Sequence, residues 1–445
     1  MILESIQEKI NKNTKLRLII NNINWLTFGI LLRNFVGILV IAFIARNFGP
    51  EKFGLMNYAL AFVALFSIFS TLGLDDLVIR ELVNKPQKRG DYLGSTFFLK
   101  SLGSILMVLF SLIAIIVLEK DSVETRSLVL ILSLGYLFKP FDVIDFFFQS
   151  EVNSKLAVLS RSYAFIFTTF VRILMVIKNV SLVTFMFSYT LDLFLIAVFL
   201  VYFYSRKNHW KEIKLRLDKF IIIELLKNSW PLFLASIAII LYMKIDQIFI
   251  GIFLGDEALG LYSSAAKISE AWYFLPVIIM SSVFPAILSA KRKDKNLYKQ
   301  RLETLYGIFT WFTIFVACIV TFTAPLIIRI LYGVEYSGAS SVLALHIWAG
   351  VGVFLGTASS KYLISENLTK ISLYRTVIGA ILNIILNILL IPRFGIVGAA
   401  MSTVISYIVS TFSVLLFPSS RDVGISMLKS FNIFKTFNNL VKMIR

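Results

Sequence analysis

Nine basic residues, Arg33, Lys100, Lys139, Arg161, Arg172, Lys244, Lys267, Lys361 and Arg375, stand inside long apolar runs, together with five acids, Asp142, Asp145, Asp192, Asp246 and Glu270. A charge at mid-bilayer costs at least about 2.5–3.5 kcal/mol, so such side chains face protein or water and by default mark a pathway. Nine cations against five acids leave a surplus of positive charge. The chemistry this favours is the binding of an anion.

Arg33 and Lys100 have no carboxylate within one helical turn and stand roughly 12 Å along their spans, so they are the leading candidates for phosphate contacts. Arg161 and Arg172 return to nearly the same helical face about 16 Å apart, like two phosphate stations. Lys139, Asp142 and Asp145 form a stripe at a spacing of three, which could be a site or a self-satisfied polar face. Lys267 and Glu270 share that spacing and could neutralise each other. Lys244 and Asp246, two apart, point to different faces, so at least one needs a partner elsewhere. Asp246, Asp192 and Glu270 are the candidate Na⁺ or proton sites. Lys361 and Arg375 lie within about two turns of a span end and could snorkel. His346 could titrate near neutral pH, although hydrogen-bonded packing is the plainer role. By depth, Arg33 and Lys100 lie nearer the inner surface and Lys244 and Lys267 nearer the outer one. A phosphate passed between them would cross the membrane.

The elements that position these residues follow from composition. Of 445 residues, 58% are hydrophobic and 16% charged, with a mean hydropathy of +0.82, against roughly 45–50% and 25% in soluble domains. A soluble protein is excluded. With about 20 apolar residues needed per crossing, the chain divides into twelve spans: 25–45, 54–74, 92–118, 125–148, 155–177, 182–204, 229–254, 260–288, 303–322, 339–364, 371–391 and 395–417. The tails and alternate loops carry 28 Lys and Arg, the opposite loops seven, which places both termini in the cytoplasm. Residues 1–21 read as a basic helix lying on the inner membrane surface rather than a cleaved signal. Residues 22–204 form an N-lobe, 205–228 a cytoplasmic linker, 229–417 a C-lobe and 418–445 a basic tail.

The net charge of +18 does not point to nucleic acid, because no stretch long enough for a groove-reading module lies outside the apolar spans. One cysteine excludes an internal disulfide, and two histidines cannot build a zinc cage. No metal or cofactor is implied. No loop can house a catalytic domain and no phosphate-loop motif is present, so a transporter is expected rather than an enzyme. Asp75 and Asp76 read as loop acids beside Arg80.

An internal repeat supports the division. Gly49-Pro50-Glu51-Lys52-Phe53-Gly54-Leu55 matches Gly255-Asp256-Glu257-Ala258-Leu259-Gly260-Leu261 at an offset of 206 residues. Both read as a tight hairpin bounded by glycines. Two six-span halves with even crossings share one orientation, as in transporters built from parallel repeats.

The run 45–54, then Tyr58, Gly73-Leu74 and Arg80-Glu81, resembles the opening of bacterial polysaccharide repeat-unit flippases of the Wzx type. So do Asp246-Gln247, Gly260-Leu261-Tyr262 with Ala265 and Lys267, Tyr332-Gly333 with Tyr336, and the stretch 392–400. The resemblance implies an all-α integral membrane fold of twelve transmembrane helices, two six-helix lobes in a V, similar to multidrug antiporters and the lipid II flippase. It implies undecaprenyl-pyrophosphate-linked oligosaccharide as cargo, moved from the cytoplasmic to the periplasmic leaflet of the bacterial inner membrane for O-antigen or capsule assembly. It also implies a cationic lumen. Coupling to H⁺ or Na⁺ and contact with a polysaccharide polymerase and chain-length regulator stay open. The rival readings are a cation-coupled drug or metabolite antiporter, which favours an acidic and aromatic lumen, and a membrane polysaccharide polymerase, which needs a large outer loop.

Overall fold

The computed structural model describes residues 14–119, 122–206, 216–291 and 294–444. Positions 1–13 of the expected surface helix and 207–215 of the expected linker lie outside them. Every regular element among the described residues is helical. Nine of these helices are long and apolar enough to cross a membrane.

Two of the nine, Thr27–Phe66 and Thr369–Leu416, run 40 and 48 residues, about twice what a bilayer needs. Each contains a glycine that has left the helical region, Gly49 at φ 76° and Gly395 at φ 59°. A residue there cannot continue a right-handed helix, so each long element is two crossings joined by a sharp turn. The expected eighth span is a broken helix, Asp256–Glu270 followed by Phe274–Lys291. Nine long helices, two of them doubled, and this broken one together account for twelve segments.

The helices used below are α1 (Thr14–Phe66), α2 (Asp75–Asn84), α3 (Arg89–Leu118), α4 (Val123–Gly135), α5 (Val143–Ser150), α6 (Ser154–Ile177), α7 (Leu182–Arg206) and α8 (Lys219–Leu254). They continue as α9 (Asp256–Glu270), α10 (Phe274–Lys291), α11 (Lys295–Leu331), α12 (Ala339–His346), α13 (Ala349–Ser365), α14 (Thr369–Phe412), α15 (Arg421–Lys429) and α16 (Ile433–Ile444).

The chain forms two compact units. The first holds residues up to Val40 and Ala59–Ile237. Its core joins Leu77 and Val78 of α2, Tyr92 of α3, Phe146–Phe148 of α5, Tyr204 of α7 and Leu225 of α8. Asp218 caps α8 by accepting the Phe220 N–H at 2.8 Å. The start of α8 is then tied down by charge: Lys85 Nζ meets Glu224 at 2.9 Å, Glu81 at 3.0 Å and the Tyr92 hydroxyl at 2.7 Å. Those bonds to Tyr92, Glu224 and Glu81 hold the Lys85 ammonium above its ordinary pKa. Burial alone would raise the Glu81 carboxyl, but Lys85 and Arg80 hold it below the usual range.

The second unit holds Ile41–Tyr58 and the residues from Ala238 on. The hairpin after the first span therefore packs with the C-terminal half of the sequence. Its core includes Met280, Tyr306, Phe309, Phe354, Leu355, Val414 and Met427. The Tyr336 hydroxyl, fully buried, donates to the Ala45 carbonyl at 2.8 Å. Large apolar side chains such as Phe35 and Phe322 are 70% and 85% exposed, as suits spans whose solvent is lipid rather than water.

Candidate functional site

In the first unit the charged residues converge where helical geometry changes. Residues Tyr136–Asp142, with Pro140 inside, wind as a 3-10 helix between α4 and α5. Three residues per turn eclipse positions i and i+3, which sets Lys139 Nζ 3.2 Å from Asp142 Oδ2. One turn on, Asp145 of α5 is 5% exposed and accepts Gln149 Nε2 at 3.1 Å. Arg161 of α6 reaches across to Asp145 Oδ2 at 2.5 Å and stands 3.6 Å from Asp142 Oδ1. The stripe at a spacing of three thus serves two cations, one on its own chain segment and one from the neighbouring helix.

Arg33 of α1 belongs to the same electrostatic neighbourhood, with Arg161, Asp192 and Asp145 as its charged surroundings. Its Nη1 is buried and has no hydrogen-bond partner among the described residues. A buried donor left unpaired costs about 1–3 kcal/mol, so Arg33 stands ready for an acceptor that the described residues do not supply. Lys100, the other leading candidate, is different. It is completely buried, pairs with Asp75 at the start of α2 at 3.0 Å, and sits 4.7 Å from the centre of the Phe146 ring. Asp75 is therefore more than a loop acid beside Arg80, whose own partner is Glu81 at 2.9 Å.

Arg172 lies on the same helix as Arg161 but meets different partners. Its Nε donates to Ser188 Oγ at 3.1 Å and its guanidinium covers the Tyr189 ring at 4.2 Å. Asp192 accepts the Thr168 hydroxyl at 2.8 Å. Of the expected embedded cations in this unit, Lys100, Lys139 and Arg161 have carboxylate partners, Arg172 is held by Ser188 and Tyr189, and Arg33 keeps a buried N–H without a partner among the described residues.

The second unit gathers Lys244, Asp246, Lys267 and Glu270. Asp246 of α8 is 5% exposed and accepts the Tyr262 hydroxyl and the Gln247 N–H, the latter at 2.8 Å. Lys244 and Glu270 lie within its electrostatic reach, and Lys267 feels the same two groups. Among the described residues no ion pair within 4.0 Å joins Lys267 to Glu270. His346 pairs Nδ1 with Ser269 Oγ at 2.9 Å while its Nε2 is buried without a partner among the described residues. Asn383 and Asn387, both fully buried on α14, bond to each other at 3.0 Å.

Lys361 is exposed. Arg375, for which snorkelling is one of two readings, is only 7% exposed. Its guanidinium donates to Ser359 Oγ at 2.6 Å, to the Gly356 carbonyl at 2.8 Å and to Ser360. The signal available in the sequence was the small-residue run 356–360, which can hold a neighbouring helix close enough for such bonds.

The family model described as polysaccharide biosynthesis protein matches residues 19–291. A second, described as lipid II flippase MurJ, matches 264–443. The chain is 30% identical over 200 residues to a probable low-salt glycan biosynthesis flippase, Agl15, of Haloferax volcanii, covering 42% of this chain and 41% of that one. It is 22% identical to the capsular polysaccharide biosynthesis protein CapF of Staphylococcus aureus over 89% of this chain and 98% of that one. With a putative O-antigen transporter of Shigella dysenteriae it shares 24% identity over 61% and 68%. Among solved structures, the inward-closed lipid II flippase MurJ superposes with a TM-score of 0.68 at 19% identity, covering 93% of this chain and 95% of that one. An inward-facing multidrug transporter of the MATE family gives 0.67 at 14% identity over 88% and 94%.

Proposed function

Because the chain belongs to the polysaccharide biosynthesis protein family, a family of multi-pass transporters rather than enzymes, we propose that it is a flippase for undecaprenyl-pyrophosphate-linked oligosaccharide repeat units. On this reading it moves them from the cytoplasmic to the periplasmic leaflet of a bacterial inner membrane by alternating access, with both termini in the cytoplasm. The observation that carries the reading is the buried, unpartnered Nη1 of Arg33 beside Arg161.

A diphosphate cannot enter hydrocarbon bare, whereas its polyprenyl tail can stay in lipid. Arg33 and Arg161 offer guanidinium forks that suit phosphate oxygens. Arg161 is held by Asp145 and Asp142, which fixes its position and limits its net attraction. That balance suits a carrier, since binding must be weak enough for release on the far side. Arg172, Lys139, Lys244 and Lys267 are further stations on this reading. Lys100, closed against Asp75, supports the lobe instead.

Asp246 is the proposed coupling acid. A cation or proton arriving there would have to displace or share the Tyr262 contact, and an ion that prefers one conformation shifts the population towards it. Glu270 and Asp192 are secondary candidates. Handover to a polymerase and chain-length regulator would follow on the periplasmic side. The names of the relatives favour glycan cargo over a drug, and the basic character of the first unit agrees. Deleting the gene in its host and assaying lipid-linked repeat units by leaflet tests the reading. Accumulation on the cytoplasmic leaflet is expected, and an unchanged leaflet distribution would refute it.

A further inference from the structure

The mechanism above leaves Arg375 unused, yet its surroundings in the second unit form a built site. Arg375 stands six residues into α14, about 9 Å from that helix end. It lines a cavity of about 320 Å³ together with Tyr242 of α8, Tyr273, Thr357 of α13, and Thr376 and Tyr407 of α14. That volume falls at the lower end of small-molecule sites.

The guanidinium is fixed by its neighbours, two of which, Gly356 and Ser360, also line the cavity. Ser359, Ser360 and the Gly356 carbonyl occupy Nη1 and Nη2. Close approach of the two helices makes this reach possible: a Cβ on Gly352 would fall 2.9 Å from the Tyr407 backbone, and one on Gly356 3.0 Å from Thr411 Oγ1. Two donors remain, Nε–H and the second N–H of Nη1, and Nε is buried and has no partner among the described residues. The groups that influence Arg375 electrostatically are the phenols of Tyr242 and Tyr306, with no carboxylate among them. A buried cation with neutral partners alone is costly, and a bound anion would relieve it.

The shape of the vacancy narrows the ligand. Two free N–H groups and one uncompensated positive charge match a single carboxylate, whereas a phosphate dianion or pyrophosphate carries more charge than this one cation offsets. The opposite wall is aromatic: Tyr242 and Tyr407 have ring centres 4.4 Å apart, and Tyr273 stands 6.3 Å from Tyr407. Flat rings of this kind can accept the apolar face of a pyranose, and the hydroxyls of Thr357 and Thr376, which donate to the Val353 and Ser372 carbonyls, are left as acceptors for sugar hydroxyls.

We propose that this cavity is a second anion site, which binds the carboxylate of an acidic sugar through Arg375 with the sugar ring against the three tyrosines. The inference rests on the flippase reading in taking that sugar to be part of the glycan cargo. It adds a basis for cargo selection separate from the pyrophosphate contacts: repeat units carrying a uronic acid are held, neutral ones are not.

The test is equilibrium binding of glucuronate, glucose and inorganic phosphate to the full-length protein in phosphatidylcholine nanodiscs. Saturable glucuronate binding is expected, with affinity at least tenfold above that for glucose and phosphate. Arg375→Gln should weaken it at least tenfold. Because that variant removes a buried hub and could unfold, Thr357→Phe, which fills the cavity and leaves Arg375 untouched, should abolish binding at an unchanged melting temperature. Replacing part of the lipid by phosphatidylglycerol should leave glucuronate affinity unchanged; competition would assign the site to a lipid headgroup and overturn the proposal. So would equal binding of glucose and glucuronate, or glucuronate affinity unaffected by Thr357→Phe. These measurements need no transport, so a protein that binds glucuronate without moving lipid-linked glycan would sink the flippase reading and keep the site.

Discussion

Gly54 and Gly260 back onto each other's hairpins: a Cβ at Gly54 would fall 1.7 Å from the Asp256 carbonyl oxygen, and one at Gly260 would fall 1.9 Å from that of Pro50. The two contacts are reciprocal, since Pro50 and Asp256 are separated by the same 206 residues as the two glycines. The sequence repeat therefore describes a local two-fold contact within one compact unit. Backbone lies on backbone there, and neither side can yield to a side chain.

Gly54→Ala and Gly260→Ala are each expected to destabilise by more than the usual 1–3 kcal/mol of overpacking. Thermal melting of the detergent-solubilised protein checks this. A melting temperature within experimental error of wild type for either variant would contradict the contact.

Lys100 and Arg33, alike in the sequence, should part company in experiment. Lys100→Met removes the partner of Asp75 and the cation over Phe146, so a lower melting temperature is expected, with pyrophosphate affinity of the folded fraction kept. Isothermal titration with inorganic pyrophosphate decides between this and a direct contact, which would show as lost affinity at full stability.

Asp145→Asn takes away the nearer carboxylate of Arg161 and leaves Asp142 at 3.6 Å. Breaking a buried pair from one side typically costs about 3–5 kcal/mol, and less for Arg161, which is one-third exposed. The same change frees positive charge. Stability should fall while pyrophosphate affinity rises several-fold, and a fall in both would count against an anion site at Arg161.

The Lys85 cluster gives a pH signature. Its raised folded-state pKa means that its stabilisation is fully present below the ordinary value of 10.5 and fades as pH climbs through the folded value. Glu81, held low, stabilises above the ordinary carboxylate range and loses that effect as pH falls through its folded value. The difference in melting temperature between wild type and Lys85→Met should therefore shrink at high pH. A difference constant from neutral pH to strongly alkaline conditions would refute the cluster's role.

Asp246→Asn should leave flux that no longer responds to an imposed Na⁺ or proton gradient, and Tyr262→Phe should shift that response. Proteoliposomes with each gradient applied in turn measure it. Gradient-dependent flux in Asp246→Asn would remove this acid as the coupling site.

Sequence reading carries far where the bilayer imposes the rule. Apolar runs near 20 residues, the glycines at 49 and 395 and the repeat at 206 correspond to crossings and turns in the structure. It carries less far for the charges, because a partner can come from any helix. Lys100 finds Asp75 twenty-five positions away and Arg161 finds Asp145 sixteen away. Neither separation lies on one helical face pattern, so tertiary packing alone decides which cation is closed and which is open. Arg375 shows the same limit from the other side: a position near a helix end suggests snorkelling, and only the approach of α13 reveals serines waiting for it.

The decisive measurement for anion binding at Arg33 is the flux of lipid-linked oligosaccharide in proteoliposomes carrying Arg33→Met. The substitution removes a buried, unpartnered donor, so the melting temperature should hold or rise while flux drops at least tenfold. Wild-type flux in this stably folded variant would contradict the account.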